Sequence, residues 1–148
     1  MSIQQHELDN FFNHYESRFN DVLSGNEPDV DETVNSFAEH FIEASPLGIN
    51  AGENDEKFRE MITQGWTFYK NVGILSMDIL SKQITILDDF HALVKIHWNS
   101  SFVRKDKTNG DISFDVFYLL QKRDEAIKIF AYITGDEQQA LKDEGLIP

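Results

Sequence analysis

Apolar residues in the first half of the chain recur every three or four positions, which is the spacing of amphipathic helices. The first stripe predicts a helix that Gly25 ends, because glycine readily adopts the left-handed conformation at a helix C-terminus. Its members are Leu8, Phe11, Phe12, Tyr15, Phe19, Val22 and Leu23. A second, shorter helix is predicted to follow, with Val30, Val34, Phe37, Ala38 and Phe41 on one side. A brief extended segment is expected at 41–44.

A third helix is predicted after a loop that runs from Gly48 to Glu53. Asn54 is expected to cap this helix at its start. The buried stripe consists of Phe58, Met61, Ile62, Gly65, Trp66 and Tyr69. A glycine inside a helix costs about 1 kcal/mol relative to alanine, so Gly65 indicates that another group approaches the backbone closely there.

From Ile74 onwards the apolar period changes from near 3.6 to 2, which predicts strands. The strands are expected at roughly 74–86, 90–103, 112–121 and 126–134. Asn109-Gly110 between two alternating runs is a strong hairpin signal, so consecutive strands should form an antiparallel meander. The pattern from Thr134 to Glu137 predicts a short C-terminal helix that Gly145 ends.

The predicted turns also suggest which residues face each other across the sheet. If the Asn-Gly hairpin pairs Val103 with Asp111, then Asn99 lies opposite Asp115. A four-residue turn in the last hairpin then sets Asp115 opposite Tyr132. A register shift of two residues would preserve which side chains share a face.

The two faces of the predicted sheet differ in character. One is almost wholly apolar: Ala92, Val94, Ile96, Trp98, Phe102, Ile112, Phe114, Val116, Tyr118, Leu120, Ile127, Ile129, Ala131 and Ile133. The mixed face combines rings with polar groups: His91, Lys95, His97, Asn99, Asp115, Phe117, Leu119, Lys128, Phe130, Tyr132 and Thr134. The apolar face must be covered, either by helices or by a second subunit.

Three helices, a long antiparallel sheet and a short terminal helix form an α+β layer architecture with the helices on one sheet face. This order resembles the cone of the nuclear-transport-factor-2-like superfamily, also called SnoaL-like or ketosteroid-isomerase-like, which has a cystatin-like fold. The run from Ile127 to Glu137 is similar to the last strand of that group. The resemblance implies a single domain over residues 1–148. It implies no particular activity, because the superfamily includes isomerases, cyclases, dehydratases, epoxide hydrolases and non-catalytic binding domains.

By analogy with the superfamily, the mixed face is expected to be concave and to hold a pocket, while the apolar face pairs two subunits in a homodimer. The alternative places the apolar face beneath the helices. The sequence leaves both assignments open.

Composition excludes several classes of function. With 13 basic and 26 acidic residues the net charge is −13, which repels phosphate backbones, so we expect no nucleic-acid partner. Cysteine is absent, and the five histidines show no chelating spacing, so no metal site is expected. Phosphate-binding loops are missing, so no cofactor is expected. With neither a signal peptide nor a membrane span apparent, we expect a cytoplasmic protein and no membrane partner.

The mixed face supplies the candidate catalytic residues. Asp115 or His97 is predicted to act as a general base, because desolvation between rings raises a carboxyl pKa, and Tyr132 or Tyr15 as the proton donor. The remaining predicted pocket residues, all ligand-binding, are Tyr15, Trp66, Tyr69, Asn99, Phe117, Phe130 and Thr134. The alternative for the polar residues is a hydrogen-bonded cross-strand patch without chemistry.

Three functions therefore remain open. The first is a cone-shaped domain that binds a small apolar molecule of unknown identity and need not catalyse a reaction. The second is a cofactor-independent acid–base enzyme of isomerase, dehydratase or hydrolase type. The third is a protein-interaction module that docks a partner on an exposed face rich in rings.

Overall fold

The computed structural model describes all residues, 1–148, as four helices and six strands. In chain order these are α1 (Gln5–Leu23), α2 (Val30–Asn35), β1 (Phe37–Ser45), β2 (Gly48–Glu53), α3 (Glu56–Val72), β3 (Ile74–Ile86), β4 (His91–Val103), β5 (Asn109–Arg123), β6 (Ala126–Ile133) and α4 (Glu137–Asp143). The predicted α+β class, with three N-terminal helices and a short C-terminal helix, is confirmed. None of the helices combines the length and the apolar character that crossing a bilayer requires.

The six strands form one sheet in the order β2-β1-β6-β5-β4-β3. Strands β3 to β6 make the predicted antiparallel meander, but β1 adds to it in parallel with β6. The predicted second helix therefore ends early, at Asn35, and the predicted loop at 48–53 is a strand paired with β1. Phe37 and Phe41 misled the prediction because a spacing of four puts two side chains on one side of a helix or of a strand.

The start of α3 lies one residue later than predicted. The Asp55 side chain caps the helix by accepting from the Phe58 backbone N–H at 2.9 Å. Asn54 instead donates from its side-chain amide to the backbone carbonyls of Val34 and Phe37, at 2.6 and 3.0 Å. It therefore ties the end of α2 to the start of β1.

The register between β4 and β5 differs from the predicted one by two residues. Val103 pairs with Asn109, so Asn109 belongs to the strand and the turn precedes it. Consequently His97, rather than Asn99, lies opposite Asp115. Because the shift is even, each side chain of these two strands stays on its predicted face.

The pairing of β5 with β6 changes the face of the last residues. Leu120 pairs with Ile129 but Leu119 pairs with Ala131, so Phe130 is an extra residue in a β-bulge. Beyond the bulge the alternation is reversed, and Tyr132 lies opposite Tyr118. The prediction that Tyr132 belongs to the mixed face with Asp115 is therefore wrong.

Helix α1 covers the apolar face of the sheet. Leu8 and Phe12 are fully buried, in one core cluster with Val94 and Ile96 of β4. Burying a side chain of this size contributes about 1.5–3 kcal/mol. The Asn20 side-chain amide fixes the helix to β3 by hydrogen bonds to the backbone carbonyl and N–H of Met77, at 2.7 and 2.8 Å.

The apolar face is thus the inner face of the molecule, and the mixed face is its outer face. The prediction that the mixed face is concave is wrong, because the apolar stripe of α1 matches the apolar side of the sheet. The same arrangement removes the apolar face as a surface for a second subunit.

Candidate functional site

The predicted catalytic pair lies on the outer face. His97 Nδ1 is 2.8 Å from one carboxylate oxygen of Asp115, and Lys95 Nζ is 3.8 Å from the other. The side chains of His97 and Asp115 are each 41% exposed. The predicted contact between imidazole and carboxylate is present, but the predicted burial of Asp115 is not. A catalytic role for His97 and Asp115 stays a prediction without that support.

The other predicted neighbours on the outer face do not form a pocket around Asp115. Asn99 accepts a hydrogen bond from Ser113 at 3.0 Å, and Phe130 packs against His91 with ring centroids 6.0 Å apart. Phe117 lies beneath the Lys95 ammonium, 5.6 Å from ring centroid to nitrogen. The predicted grouping of Asn99, Asp115 and Tyr132 is therefore wrong, since register and bulge separate the three.

Two further predicted residues lie apart from this patch. Thr134 follows β6, where its backbone N–H donates to the Ala44 carbonyl at 2.9 Å. Trp66 is buried in α3, with 6% of its surface exposed. Their roles as ligand-binding residues stay predictions.

Rings from six elements meet on the inner face instead. We call this group the inner aromatic cluster; its members are Phe12, Tyr15, Phe19, Phe37, Phe41, Phe58, Tyr69, Trp98, Tyr118 and Tyr132. Tyr15 is central, with ring centroids 6.3 Å from Trp98 and 6.2 Å from Tyr118. All four tyrosines of the chain belong to the cluster, including the predicted Tyr15, Tyr69 and Tyr132.

Burial makes every one of these four phenols a weaker acid than usual. It raises the pKa of Tyr15 to about 12. Burial likewise raises the pKa values of Tyr69, Tyr118 and Tyr132 well above 10. The hydroxyls therefore stay protonated at neutral pH and are available as hydrogen-bond donors. Among them, the Tyr118 hydroxyl accepts from Trp98 Nε1 at 3.2 Å.

Two carboxylates stand at the edge of the cluster. Glu43 lies opposite Tyr132 in the pairing of β1 with β6, and its negative charge adds to the burial that raises the pKa of Tyr132. Glu137, at the start of α4, acts in the same way on Tyr69. Burial, followed by the charge of Glu43, raises the pKa of Glu137 itself, although Tyr69 opposes the shift. Glu137 lies at the rim, with surface open to solvent but enough protein around it to disfavour its charged form.

Several rings of the cluster are only partly covered, although they lie on the helix side of the sheet. Phe58 and Tyr69 on α3 are half-buried, and Gly65 lies on the same stripe between them. A Cβ added at Gly65 would meet no heavy atom within 4 Å. The expected close approach to Gly65 is therefore wrong, and the position borders open space.

Two surface depressions lie elsewhere. The larger, with a volume of about 480 Å³, is lined by Met1, Phe90, His91 and residues 121–125; the other, of about 330 Å³, lies near Leu75 and Gly110. Most of the residues that line these depressions are polar or charged, whereas apolar residues usually line a ligand site. We therefore take the inner aromatic cluster as the candidate site. No group of three or more metal-ligating side chains comes together in the chain.

Sequence reasoning missed three residues of this site. Glu43 was placed in the brief extended segment at 41–44 without a role, Glu137 served only in the capping pattern of the last helix, and Tyr118 was counted only as part of the apolar face. The available signal was the set of tyrosines itself, because a buried phenol needs a polar partner.

Comparisons with known proteins agree with this architecture. A family model described as "NTF2-like protein (DUF6841)" matches residues 6–137. No curated protein matches the chain.

Solved structures with the same fold are only distantly related in sequence. An NTF2-like protein with a cystatin-like fold from Novosphingobium aromaticivorans is 10% identical with a TM-score of 0.68, covering 97% of this chain and 88% of its own. The beta subunit of benzoate 1,2-dioxygenase from Burkholderia mallei is 13% identical with a TM-score of 0.68 and 95% coverage of both chains. A ketosteroid isomerase-like protein from Erwinia carotovora atroseptica is 12% identical with a TM-score of 0.60, covering 86% and 91%. At such identities the likeness shows the fold alone.

Proposed function

The chain belongs to the NTF2-like family DUF6841, and from this premise we propose that it binds a small, largely apolar molecule in the inner aromatic cluster. The observation that carries the proposal is the convergence of all four tyrosines, Trp98 and two carboxylates on the helix-covered side of the sheet. Rings with a few polar groups directed into one volume are the usual lining of a ligand site.

The partial exposure of the cluster supports this proposal over that of a plain core. A core of rings normally excludes solvent from each ring, whereas Tyr15, Phe19 and Tyr69 retain accessible surface here. An apolar ligand that covered those rings would remove apolar surface from water, at about 25 cal/mol per Å².

A fluorescent probe tests the proposal. N-phenyl-1-naphthylamine is uncharged and becomes bright when it leaves water for an apolar site, so we expect saturable binding to the wild-type protein. Gly65→Leu should weaken this binding about tenfold or more by filling the open space, a change of about 1.4 kcal/mol. Gly65→Ala is the matched control, since it adds helix propensity with little volume. Unsaturable binding, or equal binding by both variants, would refute the proposal.

An acid–base enzyme is the second candidate, and Glu137 is the observation that favours it. Its carboxyl pKa is raised by burial beside the Tyr69 hydroxyl, which is the setting of a general acid or base. The candidate moves from Asp115 and His97 to Glu137, because the surrounding protein raises the pKa of the Glu137 carboxyl although part of its surface stays exposed. Once a turned-over substrate is found, Glu137→Gln should lower kcat by at least about a hundredfold with the probe still bound. Unchanged kcat would leave binding alone as the function.

The outer face supports the proposal of a homodimer. Phe117, Leu119 and Phe130 are only half-buried there, and Ile133 is 47% exposed. A second copy packed on this face would cover them in a two-fold interface, with Asp115 and His97 as a polar part. Sedimentation at micromolar concentration should give twice the chain mass of 17.1 kDa, and a monomer would overturn the dimer.

If the monomer is found, the same face is the surface for the third predicted function, docking of another protein. The predicted cytoplasmic location stays a prediction.

A further inference from the structure

Arg18 differs from the other arginines of the chain in having no acidic partner. Arg59, Arg104 and Arg123 each form an ion pair; their partners are Asp31, Glu144 and Asp124. Arg18 forms none, in a chain with 26 acidic and 13 basic residues. A guanidinium left without a carboxylate in so acidic a protein requires an explanation.

The position of Arg18 is on the inner side of the molecule. It lies three residues after Tyr15 on α1, and its guanidinium carbon is 5.8 Å from the centroid of the Tyr15 ring. Of the three contacts between a cation and a ring in this chain, only this one involves the inner aromatic cluster. The charge of Arg18 also opposes the effect of burial on the pKa of Tyr15.

The hydrogen bonds of Arg18 are incomplete. A single bond is formed, from Nη2 to the hydroxyl of the buried Ser36, at 2.7 Å. Nε is buried and has no partner. Nη1 makes no hydrogen bond either, but unlike Nε it is not fully buried, so it borders accessible space. An unpaired buried donor costs stability, and a charged one costs more.

We propose that Arg18 binds an anionic head group, of carboxylate type, on a ligand whose apolar body occupies the inner aromatic cluster. The guanidinium offers a planar edge of parallel N–H donors that matches a carboxylate, while Ser36 holds its other side. The adjacent rings would cover the body of the ligand. The ligand class is therefore an aromatic or aliphatic acid. This inference rests on the proposed binding function and narrows it to one chemical class.

Two competitors that differ only in charge test the inference. 2-Naphthoate and uncharged 2-naphthamide are used to displace N-phenyl-1-naphthylamine from the wild-type protein. We expect naphthoate to compete at about tenfold lower concentration than naphthamide, the difference expected for a hydrogen-bonded charge pair. Arg18→Met, which keeps the length and apolar stem of the side chain, should abolish that difference. Arg18→Lys should retain part of it, because the charge remains but the planar edge is lost.

Arg123→Met is the matched control, since it removes the same charge from a side chain that is 82% exposed. It should leave the preference for naphthoate unchanged, which separates a local contact from the net charge. If the dye binds but naphthoate has no advantage, the anionic ligand class is wrong and binding itself stands. If Arg18→Met keeps the advantage, the assignment of the anionic head group to Arg18 is wrong. If the dye does not bind saturably, the proposed function fails and this inference with it.

Discussion

The two faces of the sheet both place rings beside acidic groups, yet the surroundings of those groups are opposite. On the outer face Asp115 meets His97 and Lys95 in water, as an ordinary surface cluster. On the inner face Glu43 and Glu137 lie beside tyrosines. No basic side chain is among the groups that shift the pKa values of Tyr132 and Glu137. Similar residue types thus give a screened ion pair on the outer side, whereas on the inner side the pKa values of Glu137 and the four tyrosines are raised. Burial, rather than the list of residues, decides where chemistry is possible.

Alkaline pH should affect the inner face most. The four tyrosines have raised pKa values in the folded chain, so the unfolded chain loses its phenolic protons first, from about pH 10. Their contribution to stability is complete below pH 10 and is lost as the pH rises through the folded values, about 12 for Tyr15. Between its unfolded and folded pKa values, each tyrosine should lower the free energy of unfolding by up to about 1.4 kcal/mol per pH unit.

Urea titrations between pH 8 and 11.5 measure this loss, and Tyr15→Phe should make it less steep. Absorbance of tyrosinate in the folded protein provides the check. Titration of all four phenols with midpoints near pH 10 would show that the inner face is not desolvated.

The next largest effect is expected from removing a single ring, which should destabilise the protein more on the inner face than on the outer face. Trp98 is 3% exposed and donates to the Tyr118 hydroxyl, so Trp98→Ala should destabilise the protein by about 3–5 kcal/mol. Phe117→Ala on the outer face should cost less than half as much at concentrations where the chain is monomeric, because Phe117 is only half-buried in the single chain. Denaturant unfolding of both variants gives the comparison. Equal losses would mean that the outer face is as well packed as the inner one, which a dimer interface would produce.

The smallest effect is expected for Asp115→Asn. Exposed ion pairs contribute about 0–1 kcal/mol, so the stability of the monomeric chain should change by less than 1 kcal/mol. Binding of N-phenyl-1-naphthylamine should not change, since Asp115 lies on the opposite face of the sheet. A loss of dye binding in this variant would return the candidate site to the outer face.

Alternation along β4 and β5 was enough to predict which side chains share a face. Trp98, Val116 and Tyr118 are buried together as the pattern indicates, even though the predicted register was two residues off. An even error leaves the two faces intact. The inner aromatic cluster could therefore be assembled in large part from the sequence.

The remainder depended on contacts between distant parts of the chain. Which face the helices cover follows from the packing of α1, and the pattern of the sheet alone does not specify it. The bulge at Phe130 has no local signal, yet it moves Tyr132 from one face to the other. Similarly, β1 forms because β6 offers a free edge, and only this pairing brings Glu43 beside Tyr132. Local patterns therefore predicted the walls of the site but not the acidic groups at its rim.

Nuclear magnetic resonance with an uncharged aromatic probe tests most directly whether the inner face is the ligand site. Intermolecular nuclear Overhauser effects would be recorded between 2-naphthol and the isotope-labelled protein. A ligand site on the inner face would give contacts to the rings of Tyr15, Tyr69 and Tyr132. Contacts confined to Phe117 and Phe130 would instead place the site on the outer face.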